Sequence, residues 1–244
     1  MEQPRCPVST SCQWAVNRVA LCPLPRAPDW PTPLQLDQAG LNTLRDDYKT
    51  TTKRTSNLKL DCLELHMAHG YLLHEFLSPV SNPRSDEYGG NVQKRARFLL
   101  EMAALVRDEW PNDRILGAHV TGSDWLTDEI TVSDRIDLAG QLSDIGFDYV
   151  CVSSGGILPI TGRPTRSGYQ VHLSVSIKIY VDIITHTVGM ILGEAHANQI
   201  LAAKQADLIG FSRKFICDPR WLYTVGERGP TRPRPADPYA KCLA

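Results

Sequence analysis

Short apolar runs rich in β-branched residues recur along the chain, at Leu60–Leu65, Arg114–Val120, Phe147–Val152, Tyr180–Val188 and Ala206–Phe211. Each is followed by a polar loop and then by a segment of helical period. The runs start at 60, 114, 147, 180 and 206, so the separations are 54, 33, 33 and 26 residues. Strict β-then-α order in units of about 30 residues predicts parallel strands joined by helical crossovers. An eight-unit barrel of ~250 residues averages about 31 residues per unit, so the expected fold is α/β, a (β/α)8 TIM barrel. A doubly wound open sheet is the alternative, and it lacks support because no G-x-G-x-x-G turn follows any strand.

Three helices are clear from the periodicity. Asn91–Trp110 places Val92, Ala96, Leu99, Ala103, Val106 and Trp110 on one face. Ser133–Ile145 has Ser133 as its expected N-cap, Gly146 as its stop, and Ile136, Ala139, Leu142 and Ile145 as its stripe. The third, Glu194–Gln205, is rich in alanine. Only five βα units are visible, and 59 residues precede the first strand. At ~31 residues per unit these hold at most two more. The barrel is therefore expected to be incomplete, with its first strands missing.

The 244 residues carry 26 basic and 27 acidic side chains, a net charge of −1. That balance gives no chain-wide attraction to nucleic acid or to an anionic membrane. No apolar stretch approaches the ~20 residues of a spanning helix, and the start lacks the pattern of a secretory signal. The expected location is the cytoplasm. Seven cysteines (Cys6, Cys12, Cys22, Cys62, Cys151, Cys217 and Cys242) are odd in number and include no C-x-x-C pair. They predict neither a disulfide framework nor a clustered metal site. Cys62 and Cys151 lie in apolar runs and are expected to be buried.

Residues 1–28 hold five prolines and no sustained period, which predicts an irregular leader. The segment from Gly226 onward is rich in proline and arginine and reads as an extended, solvated tail. The domain itself is expected over 29–225.

Active sites of such barrels lie at the C-terminal strand ends. The first run ends in His66-Met67-Ala68-His69-Gly70-Tyr71. Two imidazoles and a phenol there offer donors for a carbonyl oxygen and a proton to deliver nearby. The same histidines could ligate a metal with Glu64 or His74, or hold barrel loops through ordinary hydrogen bonds. A barrel metallohydrolase would need further ligands, for which His119 and His186 are the candidates. The preferred reading assigns no metal.

The stretch from His66 through Leu72-Leu73-His74-Glu75-Phe76-Leu77-Ser78-Pro79 to Asp86-Glu87-Tyr88-Gly89-Gly90 and Arg95-Ala96-Arg97-Phe98 resembles the Old Yellow Enzyme family of flavin-dependent ene-reductases. The resemblance runs from about Pro31 to Trp221. It includes Ser123-Asp124-Trp125, Val152-Ser153-Ser154-Gly155-Gly156, Gly168-Tyr169-Gln170-Val171, Thr187-Val188-Gly189 and Ser212-Arg213. It implies FMN as cofactor, with NADPH or NADH as reductant and an α,β-unsaturated carbonyl compound as substrate. His66 and His69 would bond the carbonyl oxygen, and Tyr71 would protonate the α-carbon. Ser154, Gly155, Gly156, Gly189, Ser212 and Arg213 would hold the flavin, chiefly its phosphate. Longer relatives carry an iron–sulfur cluster and act on dienoyl thioesters, which the cysteine pattern here does not support.

The chain departs from the family in three places. His119 stands where the family has an arginine beside the flavin's pyrimidine edge, and histidine is only partly charged near pH 7. Ser212-Arg213 replaces Gly-Arg. The helix expected within Leu41–Asn57 contains Thr50-Thr51-Thr52 where the family is alanine-rich, which lowers helix propensity. Together with the missing strands, these features make a non-catalytic relative that holds no flavin the competing reading. An unclosed barrel also exposes strand edges, which invites pairing with a second copy.

Overall fold

The computed structural model describes residues 19–23, 32–158 and 164–227. Its elements are β1 (Val19–Ala20), β2 (Leu34–Gln35), α1 (Gln38–Asn57), β3 (Cys62–Met67), α2 (Leu72–Leu77), α3 (Val92–Glu109) and β4 (Ile115–Thr121). There follow α4 (Val132–Ile145), β5 (Tyr149–Ser153), α5 (Val171–Tyr180), β6 (Ile184–Thr187), α6 (Glu194–Ala202), β7 (Leu208–Ile209), α7 (Arg213–Cys217) and α8 (Trp221–Glu227). Strands β3 to β7 form one parallel sheet in chain order, with helices between successive strands. This is five units of a (β/α) barrel.

All five expected strands are present, but three are shorter than the apolar runs that predict them. Tyr180–Val188 contracts to Ile184–Thr187, because Tyr180 ends α5. A helical segment is expected after each run, but Val171, Val175, Ile177 and Ile179 of this one are β-branched. Packing decides against local propensity there: Leu173, Ser174 and Ile177 are buried on one face. Helix α4 is capped by Thr131, not Ser133. The Thr131 hydroxyl accepts from the Asp134 N–H at 3.2 Å, and Asp134 Oδ2 accepts from the Thr131 N–H at 2.9 Å. Its buried face is Arg135, Leu138, Ala139 and Leu142, displaced from the expected stripe so that Ile136 and Ile145 are only partly covered.

The threonines do not break α1. Thr52 and Thr55 donate to the carbonyls of Tyr48 and Thr51, four residues back, at 2.8 and 2.9 Å. Lys49 and Lys53 also pair with Glu109 of α3, at 3.3 and 3.5 Å. The main core lies between the helices and one face of the sheet, and includes Met67, Phe76, Phe98, Leu99, Met102 and Leu116. Of the expected leader, only 19–23 and the short strand within it are described. Ala20 and Leu21 carbonyls accept from the Leu36 N–H and the Arg84 guanidinium, at 3.0 and 3.1 Å, and Leu21 is buried. The remainder of the leader, and the tail beyond Glu227, lie outside the described residues; Gly226 and Glu227 themselves complete α8. No helix among the described residues is long and apolar enough to cross a membrane.

Register sets what the other face of the sheet presents. Side chains alternate across a strand, so Glu64, Gly117, Tyr149 and Ile184 form one row, and His66, His119, Cys151 and His186 the next. The absent Cβ of Gly117 makes room for the Tyr149 ring, which would otherwise lie 2.1 Å from it. Cys62 is on this face and is exposed, contrary to expectation, with its Sγ 3.7 Å from the Tyr149 hydroxyl. Cys151 is buried as expected.

Candidate active site

His66 lies one residue before the C-terminal end of β3, His69 in the turn that follows, and Tyr71 is the N-cap of α2. The ring of His66 is 5.4 Å from that of His69 and 5.2 Å from that of Tyr71, centroid to centroid. A tight turn makes this possible. His69 has φ +59°, and its N–H donates to Thr121 Oγ1 at 3.0 Å. Its backbone lies so close to Gly156 that a Cβ there would be 2.3 Å from the His69 carbonyl carbon. Gly156, at φ +114°, thus serves to seat the histidine. Below the turn, buried His74 accepts from the Gly70 N–H at 2.9 Å and faces buried Asp124 at 3.3 Å.

His119 of β4 completes the cluster. Its ring centroid is 5.0 Å from that of His66 and 4.8 Å from that of His69. Ser153 joins two of the three: its Oγ is 2.7 Å from Nε2 of both His69 and His119. One hydroxyl can donate to only one of those nitrogens, so the two imidazoles take complementary roles towards it. Burial, followed by the neighbouring histidines, pushes the His119 pKa down to about 3. It is therefore neutral at pH 7, and the expected partial charge is absent. Burial likewise lowers His66 and His186.

The loops after β5, β6 and β7 carry the other expected residues. Ser154 donates to Gln170 Oε1 at 2.6 Å, and the Gln170 side chain packs on Gly189, at φ +108°. Arg213 opens α7 and contacts Met190 Sδ at 2.7 Å, beside Gly189. It is exposed and forms no ion pair among the described residues, a state suited to a phosphate. Ser212, its N-cap, makes no side-chain cap bond. Gly155 fits less well as a phosphate donor, because its N–H already bonds the Ser123 carbonyl at 2.6 Å. The donor set thus fits FMN in part: an exposed guanidinium without an ion pair among the described residues and a glycine turn suit its phosphate, and the imidazole–phenol rim suits a ring with a carbonyl compound above it. Ser153, Gln170 and Asp124 stand inside the motifs that carry the resemblance but have no role assigned there, and His74 is weighed only as a metal ligand. Their contacts join residues far apart in the chain, which the sequence does not show.

Residues 29–231 match the model of the NADH:flavin oxidoreductase / NADH oxidase family. The chain belongs to this family. It is 35% identical over 196 residues to the NADPH dehydrogenase of Geobacillus sp. (strain WCH70), covering 80% of this chain and 57% of that protein. The NADPH dehydrogenase of Bacillus subtilis (strain 168) is 35% identical over 199 residues, covering 81% and 57%. The chain thus spans a little over half the length of these NADPH dehydrogenase relatives. Among solved structures, morphinone reductase aligns with a TM-score of 0.74 at 22% identity, covering 90% of this chain and 62% of that one. A 2-naphthoyl-CoA reductase complex aligns at 0.80 and 20% identity, covering 88% and 33%. These likenesses establish the fold.

Proposed function

We propose that this chain is an FMN-dependent NAD(P)H oxidoreductase that reduces the C=C bond of α,β-unsaturated carbonyl compounds. The observation that carries the reading is the convergence of His66, His69 and Tyr71 at one strand end. FMN, when bound, supplies the hydride, after reduction by NADPH or NADH. His66 and His69 donate N–H bonds to the substrate oxygen, which draws electron density from the β-carbon. Tyr71 then gives its phenolic proton to the α-carbon. Arg213 and the turn at Gly189 would hold the phosphate, with Ser154 and Gln170 shaping the turn. Gly155, Gly156 and Ser212 would border it, and His119 would face the flavin as an uncharged donor. The domain over 29–225, a cytoplasmic location and assembly into a homo-oligomer belong to the same proposal.

Neutral His119 and the engaged N–H of Gly155 favour a second reading, a non-catalytic relative that does not hold flavin. One experiment separates them. The purified protein is mixed with FMN, freed of excess, and examined for flavin absorbance and for NADPH oxidation with cyclohexenone. Bound flavin and enone-dependent oxidation support the enzyme. Colourless protein that takes up no FMN overturns it.

A further inference from the structure

The geometry points to a binding site for a divalent transition-metal ion formed by His66, His69 and His119. One ring nitrogen from each of the three lies within 4.8 Å of the others. Ligation at ~2.0–2.1 Å needs a closer approach, which side-chain rotation about a shared centre supplies. Three imidazoles and an open fourth position make the donor set of catalytic-type zinc sites, and imidazole suits zinc, copper and nickel.

One further feature fits a metal. Glu64 Oε1 is 3.8 Å from His119 Nδ1, on the far side of the ring from the Nε2 that meets Ser153. A carboxylate behind a ligating histidine fixes its tautomer and strengthens it as a ligand. Glu64 is itself held by the Tyr149 hydroxyl, at 2.9 Å.

A second donor set, Glu64, His119 and Cys151, shares one histidine with the first. Cys151 is buried, and this set offers one imidazole where the first offers three. The three-histidine set is the stronger of the two. A nitrogen that ligates a metal cannot donate to a carbonyl, so ion and substrate oxygen would exclude each other. The metal site itself does not rest on the flavin reading.

The test is calorimetric titration of the untagged, full-length chain with zinc chloride in a non-chelating buffer, without flavin or nicotinamide. One ion per chain is expected. His66→Ala, His69→Ala and His119→Ala should each weaken binding by more than the ~10-fold typical of a lost outer-shell partner, and Glu64→Gln by about that factor. Absence of a stoichiometric site, or unchanged affinity in folded His66→Ala and His119→Ala proteins, overturns the proposal. Cobalt substitution of the wild-type chain decides independently of how the variants fold. Ligand-field bands without thiolate charge transfer support the histidine set; a thiolate band places the ion on Cys151 and sinks it. Zinc binding by a protein that takes up no FMN would overturn the oxidoreductase reading and leave this one standing.

Discussion

Tyr71 is 59% exposed, and among the described residues its hydroxyl makes no hydrogen bond that would divert its proton from a substrate. If it is the general acid, Tyr71→Phe removes only the proton. Reoxidation by enone should then slow by about 10²-fold or more, while reduction by NADPH proceeds as before. Stopped-flow measurement of the two half-reactions checks this, and an equal loss in both would refute the role. This site was legible in the sequence because His66, His69 and Tyr71 are local: three positions in six residues must share one strand end. His119 was visible as a departure from the family, but its charge state was not. Neutrality comes from burial beside two other imidazoles, which only the β3–β4 register brings about. The engagement of the Gly155 N–H was equally hidden, because its partner, Ser123, follows a different strand.

Among the elements, α4 shows how far a local signal reaches. Both Thr131 and Ser133 could cap it, and the choice falls on Thr131 because Asp134 sits three residues on and closes a reciprocal pair. Thr131→Ala should cost about 1 kcal/mol in urea denaturation, and Ser133→Ala far less. A long-range cap of another kind joins β6, β7 and α5. Asp207 Oδ2 accepts from the Thr185 N–H and hydroxyl at 2.9 and 3.0 Å, and Lys178 meets Oδ1 at 2.5 Å. Burial alone would raise this carboxyl's pKa, but the bonds from Lys178 and Thr185 outweigh it, and the net shift is downward. A carboxylate with a depressed folded pKa stabilises the fold above its unfolded value of about 3.9, and that contribution fades as pH falls through the folded value. Wild type should therefore exceed Asp207→Asn in stability at pH 7, and the gap should narrow steadily below about pH 4. Denaturation midpoints across that range provide the check; a constant gap would show that the charge is not responsible.

For the molecule as a whole, the repeat of β-then-α units was enough to give parallel strands in chain order, because a crossover helix allows little else. What the repeat could not give was the state of the face opposite the helices. In a closed barrel that face is a packed interior. Here Ile115, Ile184 and Leu208 are 50%, 47% and 45% exposed on it, and β3 and β7 are each paired on one side only among the described residues. Apolar side chains beside an unpaired parallel edge favour association with another copy. Sedimentation of the chain should accordingly show a mass that rises with concentration. Ile184→Lys places a charge on this face at the start of β6 and, the position being exposed, should alter stability by no more than about 0.5 kcal/mol. It should shift the distribution towards monomer without changing the circular dichroism spectrum. If wild type and Ile184→Lys sediment alike at every concentration, the open face is not the associating surface, and the edges of β3 and β7 become the next place to introduce a charge.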